Sequence, residues 1–228
     1  MDKVVALSEF SVEKAHRTQM QLSKKIIFKD RLPERIRLVA GVDIVYVNDQ
    51  SIATVAVLDY DSLELLESER IICRTRFPYV PTLLSFRELS PTILAIRKLR
   101  LQPDIFLVDG HGFAHPYRCG FASHLGLLIK KPTIGVAKRK LVGEIIENDE
   151  SRDIAFLNHN GEIIGAAVKT KPEAKSLYVS IGHMISLETA INVTQHCIRD
   201  HHIPEPLLRA HAIATSEKRK TNIGLVAE

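Results

Sequence analysis

Two aspartates of this 228-residue chain interrupt segments that are otherwise apolar. Asp43 lies inside Leu38-Val39-Ala40-Gly41-Val42-Asp43-Ile44-Val45-Tyr46, and Asp109 follows Ile105-Phe106-Leu107-Val108. A buried carboxylate without a partner loses its hydration at a large cost, so each position needs a reason. The ordinary explanations are a polar strand face for Asp43 and an Asp-Gly turn for Asp109. Two such aspartates are harder to explain in this way than one.

The chemistry that these carboxylates would serve is the binding of a divalent metal. Mg²⁺ prefers carboxylate oxygen and keeps several of its waters, and two such ions ~3.5–4 Å apart promote phosphoryl transfer. A site of this kind needs three or four acidic or imidazole groups from separate elements. Glu88 is a candidate third ligand and His211 a candidate fourth. Taken alone, Glu88 would more often be a solvated helix residue, and His211 a structural histidine.

The elements that must position these residues follow from hydrophobic periodicity in the first half of the chain. Residues 9–26 are predicted to form an amphipathic helix, and residues 37–46, 51–60 and 63–74 to form an antiparallel meander of three strands. A helix over residues 82–100 is expected to begin at a Thr82 cap and to carry Glu88. Pro91 inside it predicts either a kink or two shorter helices.

The second half of the chain alternates between strands and helices. Strands are predicted over residues 104–108, 133–137, 163–169 and 177–181, and helices over residues 120–129, 186–200 and 206–219, with a polar loop at 147–153. This order predicts an α/β fold of one domain, residues 1–228, with a mixed β-sheet, an antiparallel meander followed by parallel strands, flanked by α-helices. The ribonuclease H-like architecture has the same order, although the order alone does not select it.

Composition limits the class of protein further. The net charge of +4 and the pI near 8.9 are compatible with a polyanionic partner but are weak evidence for one. No apolar run approaches the ~20 residues needed to span a bilayer, and residues 1–7 do not resemble a secretory signal. We therefore expect no membrane association and a cytoplasmic location. Three distant cysteines predict neither a disulfide framework nor a thiolate zinc site.

Five blocks of the sequence resemble the endonuclease V family, in the order and approximate spacing of that family, across roughly residues 9–219. They are Val39-Ala40-Gly41-Val42-Asp43; Phe77-Pro78-Tyr79-Val80-Pro81 with Leu83-Leu84-Ser85-Phe86-Arg87-Glu88; Val108-Asp109-Gly110-His111-Gly112 with Ala114-His115-Pro116; Gly120-Phe121-Ala122-Ser123-His124-Leu125-Gly126; and Pro132-Thr133-Ile134-Gly135-Val136-Ala137-Lys138. Any one block is a weak signal, whereas five in register make a strong one.

The resemblance implies a ribonuclease H-like fold and cleavage of DNA at the second phosphodiester bond on the 3′ side of deoxyinosine. It implies Mg²⁺ as cofactor, with Mn²⁺ as a substitute. Asp43 and Asp109 match the family's core metal ligands, and Glu88 and His211 complete the set, although the residues before His211 match only in part. Lys138 matches an active-site lysine that orients water or offsets phosphate charge.

The resemblance also implies a wedge that separates the DNA strands. Pro78-Tyr79-Val80-Pro81 matches it, because two prolines stiffen a loop whose Tyr79 enters the gap left by an extruded base. A mispaired base such as hypoxanthine is the least costly to extrude. Without the resemblance, this segment would be an ordinary proline turn with a packed tyrosine. Thr82 follows it where the family commonly has small residues.

A base pocket built largely from backbone is the last part that the resemblance implies. Its matches are Leu84, Gly110, Gly112 and Gly120, and His115 either lines the pocket or holds its loop by hydrogen bonds. Without the resemblance, these glycines would serve turns and close packing. His111 occupies a variable position of the family, so we assign it no catalytic role.

Three alternatives remain open at the level of sequence. The protein could prefer inosine-containing RNA, because small changes in groove contacts decide whether a 2′-hydroxyl is accepted. It could be a generic ribonuclease H-like nuclease selective for nucleic-acid structure. A catalytically silent binding module is disfavoured, because all the matching metal residues are present. We expect a monomer, since no heptad seam is evident.

Overall fold

A computed structural model describes residues 11–148 and 151–224. One mixed sheet contains all nine strands found in these two ranges, in the order β3-β2-β1-β4-β5-β9-β8-β7-β6. The strands are β1 (Leu38–Val47), β2 (Gln50–Asp59), β3 (Leu65–Arg74), β4 (Ile105–Asp109), β5 (Thr133–Ala137), β6 (Glu144–Asn148), β7 (Ser151–His159), β8 (Glu162–Val168) and β9 (Leu177–His183). The helices are α1 (Val12–Ser23), α2 (Leu84–Lys98), α3 (Phe121–Ile129), α4 (Leu187–His196) and α5 (Glu205–Gly224).

Strand direction changes along the sheet as the sequence predicts for its first half. β1, β2 and β3 form an antiparallel meander, and β4 and β5 continue from β1 in parallel. The predicted α/β class, a mixed sheet flanked by helices, is therefore confirmed. Strands β5 to β9 then pair antiparallel, so a second meander, which was not predicted, completes the sheet.

Alternating side chains of the central strands fill two separate cores, one on each face of the sheet. Val39 and Leu107 pack in a core that includes residues of α4 and α5. Their neighbours Ala40 and Phe106 pack in a second core with residues of α2 and α3. Because side chains alternate across a strand, this arrangement explains why the central strands read as continuous apolar runs rather than as half-polar ones.

The predicted loop at 147–153 is wrong where the structure describes it. Residues 149 and 150 lie outside the described residues, but β6 and β7 flank them as a paired hairpin. β6 forms the edge of the sheet, and its Ile145 and Ile146 side chains are about half exposed. Polar and charged residues are common on such edges, so the composition of this segment resembled that of a loop.

The helix that carries Glu88 also differs from its prediction. It begins at Leu84, and its first flanking residue, Leu83, makes no side-chain capping bond. Thr82 adopts a left-handed conformation with φ of 70°, so the predicted Thr82 cap is wrong. Pro91 lies within one continuous helix, Leu84–Lys98, rather than between two shorter helices. None of the helices that the structure describes has the length and apolar content needed to cross a bilayer.

Candidate active site

Two aspartates lie side by side on neighbouring parallel strands in the centre of the sheet. Val42 of β1 pairs with Val108 of β4, so Asp43 and Asp109 are the next residues on the two strands. β4 ends at Asp109, while β1 continues past Asp43. The Asp43 side chain is 8% exposed and that of Asp109 is 21% exposed. Residues placed at the carboxyl ends of parallel strands are positioned to meet a ligand.

Helix α2 brings a third carboxylate to this point. Glu88 is buried at 5% exposure, and its Oε1 accepts a hydrogen bond of 2.9 Å from the hydroxyl of Tyr46 on β1. The Arg87 guanidinium lies over the Tyr46 ring, 4.0 Å from its centroid. Tyr46 was not singled out in the sequence. Its position three residues after Asp43 would be the only signal for it.

Helix α5 brings an imidazole to Asp43. Nδ1 of His211 lies 2.7 Å from Oδ2 of Asp43. The helix approaches β1 closely because residue 41 is glycine. A Cβ atom there would lie 2.0 Å from the backbone oxygen of Pro206. His211, whose preceding residues match the family only in part, therefore reaches the site because α5 packs closely against β1.

Lys138 follows β5, the other parallel neighbour of β4, and pairs with the second aspartate. Its Nζ donates a hydrogen bond of 2.6 Å to Oδ2 of Asp109. The lysine side chain is 47% exposed, so its amino group remains accessible from solvent. The three carboxylates thus each have a different partner, and every partner comes from a different element.

Burial and mutual repulsion make ionisation of this cluster costly. Burial, with smaller contributions from the charges of Asp43 and Asp109, raises the pKa of Glu88 to about 8, although the Tyr46 hydrogen bond acts in the opposite direction. Burial and the charge of Asp109 also raise the pKa of Asp43, while His211 and Lys138 oppose the shift. Like charges in a poorly solvated site disfavour simultaneous ionisation. The positive charges nearby therefore do not offset the cost of ionising Asp43 and Glu88.

A divalent cation would supply more positive charge, and the donor set suits a hard one. Carboxylate oxygens are the preferred ligands of Mg²⁺, and an imidazole suits several other divalent metals. Among residues 11–148 and 151–224, no three Asp, Glu, His or Cys side chains already surround a common point. The carboxyl groups of Asp43, Glu88 and Asp109 instead face His211, Tyr46 and Lys138, respectively. The residues present fit a metal in charge and chemistry.

A small cavity of about 120 Å³ lies beside the cluster. Its lining residues come from the loop before α2, from the segment after Asp109 and from the start of α3: Tyr79, Val80, Pro81, Thr82, Leu84, His111, His115, Gly120, Phe121 and Leu141. His111 connects the cavity to the metal-binding candidates, since it lies two residues after Asp109. A larger open cavity of about 560 Å³, lined by Pro33, Glu34, Arg35, Arg37 and Asp104, contains none of the predicted site residues.

Five of the predicted substrate-binding residues line the small cavity, and three do not. Tyr79, Pro81, Leu84, His115 and Gly120 do so, whereas Pro78, Gly110 and Gly112 lie outside its lining. A Cβ atom on Gly112 would lie 2.2 Å from the backbone oxygen of Ile181, so this glycine permits close packing against β9. His111, Phe121 and Leu141 were not predicted. Phe121 could have been found as the neighbour of Gly120, but nothing marked Leu141.

The loop that carries Tyr79 exposes the tyrosine ring, while its end at Thr82 is held by a hydrogen bond. Tyr79 is 71% exposed. The carbonyl of Thr82 lies 3.0 Å from Nε2 of His115. Nδ1 of His115 accepts a hydrogen bond from the Tyr117 amide. Nε2 of the neutral ring therefore carries the proton and donates a hydrogen bond to the Thr82 carbonyl. Burial lowers the pKa of His115 to about 4, which keeps the ring neutral at physiological pH.

Comparison with known proteins assigns this arrangement to a family. Residues 20–212 match the sequence profile of Endonuclease V. The Endonuclease V of Thermofilum pendens is 44% identical over 211 residues, which cover 92% of this chain and 90% of that protein.

Two crystal structures extend the similarity to the fold. Endonuclease V from Streptomyces avermitilis aligns with a TM-score of 0.86 at 32% identity, covering 93% of this chain and 95% of that one. Endonuclease V from Ciona intestinalis, in complex with a 24mer DNA containing an inosine followed by a ribo-adenosine, aligns with a TM-score of 0.83 at 29% identity, covering 92% and 98%. On its sequence and its fold, this chain belongs to the Endonuclease V family.

Proposed function

We propose that this member of the family is a metal-dependent endonuclease that recognises deoxyinosine in DNA. It hydrolyses the second phosphodiester bond on the 3′ side of that nucleotide. The observation that carries the proposal is the cluster of Asp43, Glu88 and Asp109 beside a small cavity, in a chain whose relative from Ciona intestinalis was crystallised with inosine-containing DNA. Three carboxylates that repel one another lie together in a poorly solvated site, at a cost in folding free energy. Metal-dependent hydrolysis gives a reason for this placement.

Asp43, Glu88, Asp109 and His211 would hold the metal, for which Mg²⁺ is the proposed ion and Mn²⁺ a substitute. When bound, such an ion polarises the scissile phosphate and lowers the pKa of a water molecule. The partners of the carboxylates have roles of their own. Tyr46 fixes the orientation of Glu88. The Lys138 amino group, beside Asp109 and open to solvent, offsets phosphate charge or orients the attacking water.

The cavity would receive the extruded base. Two of its lining residues, Gly120 and His111, pack closely, because a Cβ atom on Gly120 would lie 2.3 Å from the backbone oxygen of His111. Backbone donors and acceptors of the lining would form hydrogen bonds with the Watson–Crick edge of the base, so no long side chain is needed there. Neutral His115 holds the Thr82 carbonyl from one side. Exposed Tyr79 would then fill the gap that the extruded base leaves in the stack.

Inosine-containing RNA is the second candidate substrate. The DNA in the Ciona intestinalis complex carries a ribo-adenosine next to its inosine, which is the reason to keep this candidate. The single-domain organisation over residues 1–228, the monomeric state and the cytoplasmic location remain predictions from the sequence.

End-labelled DNA and RNA strands that each contain one inosine test the proposal, with adenine-containing strands as matched controls. We expect cleavage of the inosine DNA at the second bond on the 3′ side, in Mg²⁺ but not in EDTA. Asp43→Asn should abolish cleavage and leave binding measurable by gel shift. Faster cleavage of the RNA would favour the second candidate. Equal cleavage of inosine and adenine strands would instead indicate a generic ribonuclease H-like nuclease.

A further inference from the structure

Helix α1 carries one buried polar side chain that no motif explained. The buried residues of the helix are Ala15 and Gln19, and Gln19 is 0% exposed. Its Nε2 donates two hydrogen bonds, of 2.9 Å to the Thr82 carbonyl and of 3.0 Å to the Cys119 carbonyl. Both partners are carbonyl oxygens, so only the NH₂ end of the amide can serve them.

These two carbonyls belong to two separate segments that contribute residues to the lining of the small cavity. Thr82 closes the loop that carries Tyr79, and Cys119 directly precedes Gly120 and Phe121. A single amide group therefore links the segment with the exposed aromatic ring to the segment that leads into α3. The two bonds hold these two segments to the same buried side chain.

The Thr82 segment needs such support. Thr82 has a φ of 70°, a conformation that costs free energy for a β-branched residue and persists only when the surroundings enforce it. Besides Gln19, His115 bonds its carbonyl, and His16 of α1 lies 2.9 Å from its hydroxyl. Two of these three contacts come from α1, so the helix determines where the Tyr79 loop sits.

Docking of α1 alone does not explain a glutamine at position 19. The Oε1 atom is buried and has no hydrogen-bond partner among the described residues, and a buried unsatisfied acceptor is destabilising. An apolar side chain of similar length would dock the helix without that cost. The glutamine is instead explained by the two carbonyls, of Thr82 and Cys119, that its amide NH₂ group binds.

We propose that Gln19 is a positioning residue for base recognition, which holds the Tyr79 loop and the Gly120 segment at the spacing that the extruded base requires. This inference rests on the proposed function, because it assumes that the cavity receives a base. Gln19 touches neither the base nor the metal-binding residues. Its loss should therefore weaken substrate binding more than the chemical step.

Gln19→Met is the variant that separates positioning from docking, because methionine fills similar space without donors. Thr194→Val is the matched control, since Thr194 is also fully buried but bonds the Ala190 carbonyl within α4. On single-stranded inosine DNA, we expect Gln19→Met to lower kcat/KM about tenfold, the loss of roughly one buried hydrogen bond, with most of the change in KM. Gln19→Asn, whose shorter amide reaches at most one carbonyl, should fall between Gln19→Met and the natural protein. Thr194→Val should have the same kcat/KM as the natural protein.

A fluorescence measurement on the free protein is independent of cleavage. The chain contains no tryptophan, so Tyr79→Trp introduces a single reporter at the tip of the loop. In that background, Gln19→Met should lower the fluorescence anisotropy of the reporter well below the melting temperature, and Thr194→Val should leave it unchanged. Unchanged anisotropy together with an unchanged KM would overturn the proposal. Failure of the natural protein to cleave inosine DNA would overturn the proposed function but leave the anisotropy result to judge Gln19.

Discussion

At the scale of single residues, each carboxylate of the acidic cluster is oriented by a different partner. His211 bonds Asp43, Tyr46 bonds Glu88, and Lys138 bonds Asp109. A carboxylate that must bind a metal gains from a fixed orientation, because outer partners reduce the ordering needed on binding. Removing Tyr46 or Lys138 therefore tests the site without removing a ligand, whereas His211 is itself a proposed ligand.

Tyr46→Phe removes only the hydroxyl that bonds Glu88. We expect about a tenfold lower cleavage rate at limiting Mg²⁺, with partial recovery at high Mg²⁺, because the carboxylate loses its orientation but remains present. Cleavage of inosine DNA across a Mg²⁺ titration measures this. Tyr60→Phe is the matched control, because Tyr60 stacks on His196 at 4.1 Å, away from the cluster. A Tyr46→Phe titration that superimposes on that of the natural protein would remove Tyr46 from the site.

Glu88 should make the metal-free protein less stable as the pH rises. Burial raises its pKa from 4.5 to about 8, so between these values the folded state binds more protons than the unfolded state. The contribution of Glu88 to stability is therefore full below pH 4.5 and is lost as the pH rises to 8, by a few kcal/mol, on the order of 1.4 for each pKa unit. Asp43, whose pKa is also raised, contributes in the same direction.

Melting temperatures in EDTA from pH 5 to pH 8 test this dependence. Glu88→Gln has no ionisable group at this position, so its melting temperature should decline less across the range, with a residual slope from Asp43. Parallel curves for Glu88→Gln and the natural protein would show that Glu88 does not titrate in this window.

At the scale of elements, the approach of α5 to β1 completes the acidic cluster. The sequence predicted both elements but not their contact, because Gly41 shows no pattern that distinguishes close packing from a simple strand glycine. Likewise, segment 147–153 is predicted to be a loop because it is polar, whereas its described residues belong to β6 and β7, which pair at the sheet edge. Long-range contacts of this kind depend on geometry that no local window contains.

Gly41→Ala should separate these elements. The added Cβ would lie 2.0 Å from the Pro206 carbonyl oxygen, so α5 must move, at about 1–3 kcal/mol or more. Gly165→Ala in β8 is the matched control, with a Cβ 2.5 Å from the Val179 carbonyl oxygen and no link to His211. We expect both variants to lose stability in urea unfolding, but only Gly41→Ala to lose cleavage of inosine DNA well below its melting point. Equal activities would mean that the position of His211 does not matter.

The loop with Tyr79 has its own prediction. Tyr79→Ala should slow cleavage of duplex inosine DNA more than that of single strands, because only a duplex must be opened and its stack refilled. Tyr79→Phe keeps the ring and should behave as the natural protein does. The ratio of single-turnover rates on the two substrates is the measurement. The same loss on both would argue for a packing role in the cavity.

At the scale of the whole molecule, the architecture and the main site residues were accessible from sequence to different extents. The apolar strands around Asp43 and Asp109 and the first meander follow from periodicity, whereas Glu88, Lys138 and His211 were reached through resemblance. The partner Tyr46, the cavity residues His111 and Leu141, and the supporting Gln19 were not found. They act through contacts between distant segments, which a one-dimensional pattern does not contain.

Metal binding should stabilise the whole fold. A ligand that binds only the folded state raises its stability by about 2.7 kcal/mol at a hundredfold excess over Kd. We expect Mg²⁺ to raise the melting temperature of the natural protein, and Asp109→Asn to reduce the increase. Differential scanning fluorimetry with and without EDTA measures both. An equal increase in the variant would place the stabilising ion elsewhere.

The hydrogen bond between His211 and Asp43 joins residues that are 168 positions apart. During synthesis on the ribosome, Asp43 and its strand neighbours emerge before their imidazole partner, which follows 168 residues later. Contacts of such large sequence separation form late in folding. A nascent chain therefore exposes its carboxylates long before it can assemble them, and full nuclease activity should appear only after α5 has been released and docked. For an enzyme that cuts nucleic acid, synthesised beside messenger RNA, this order delays activity until α5 has been made.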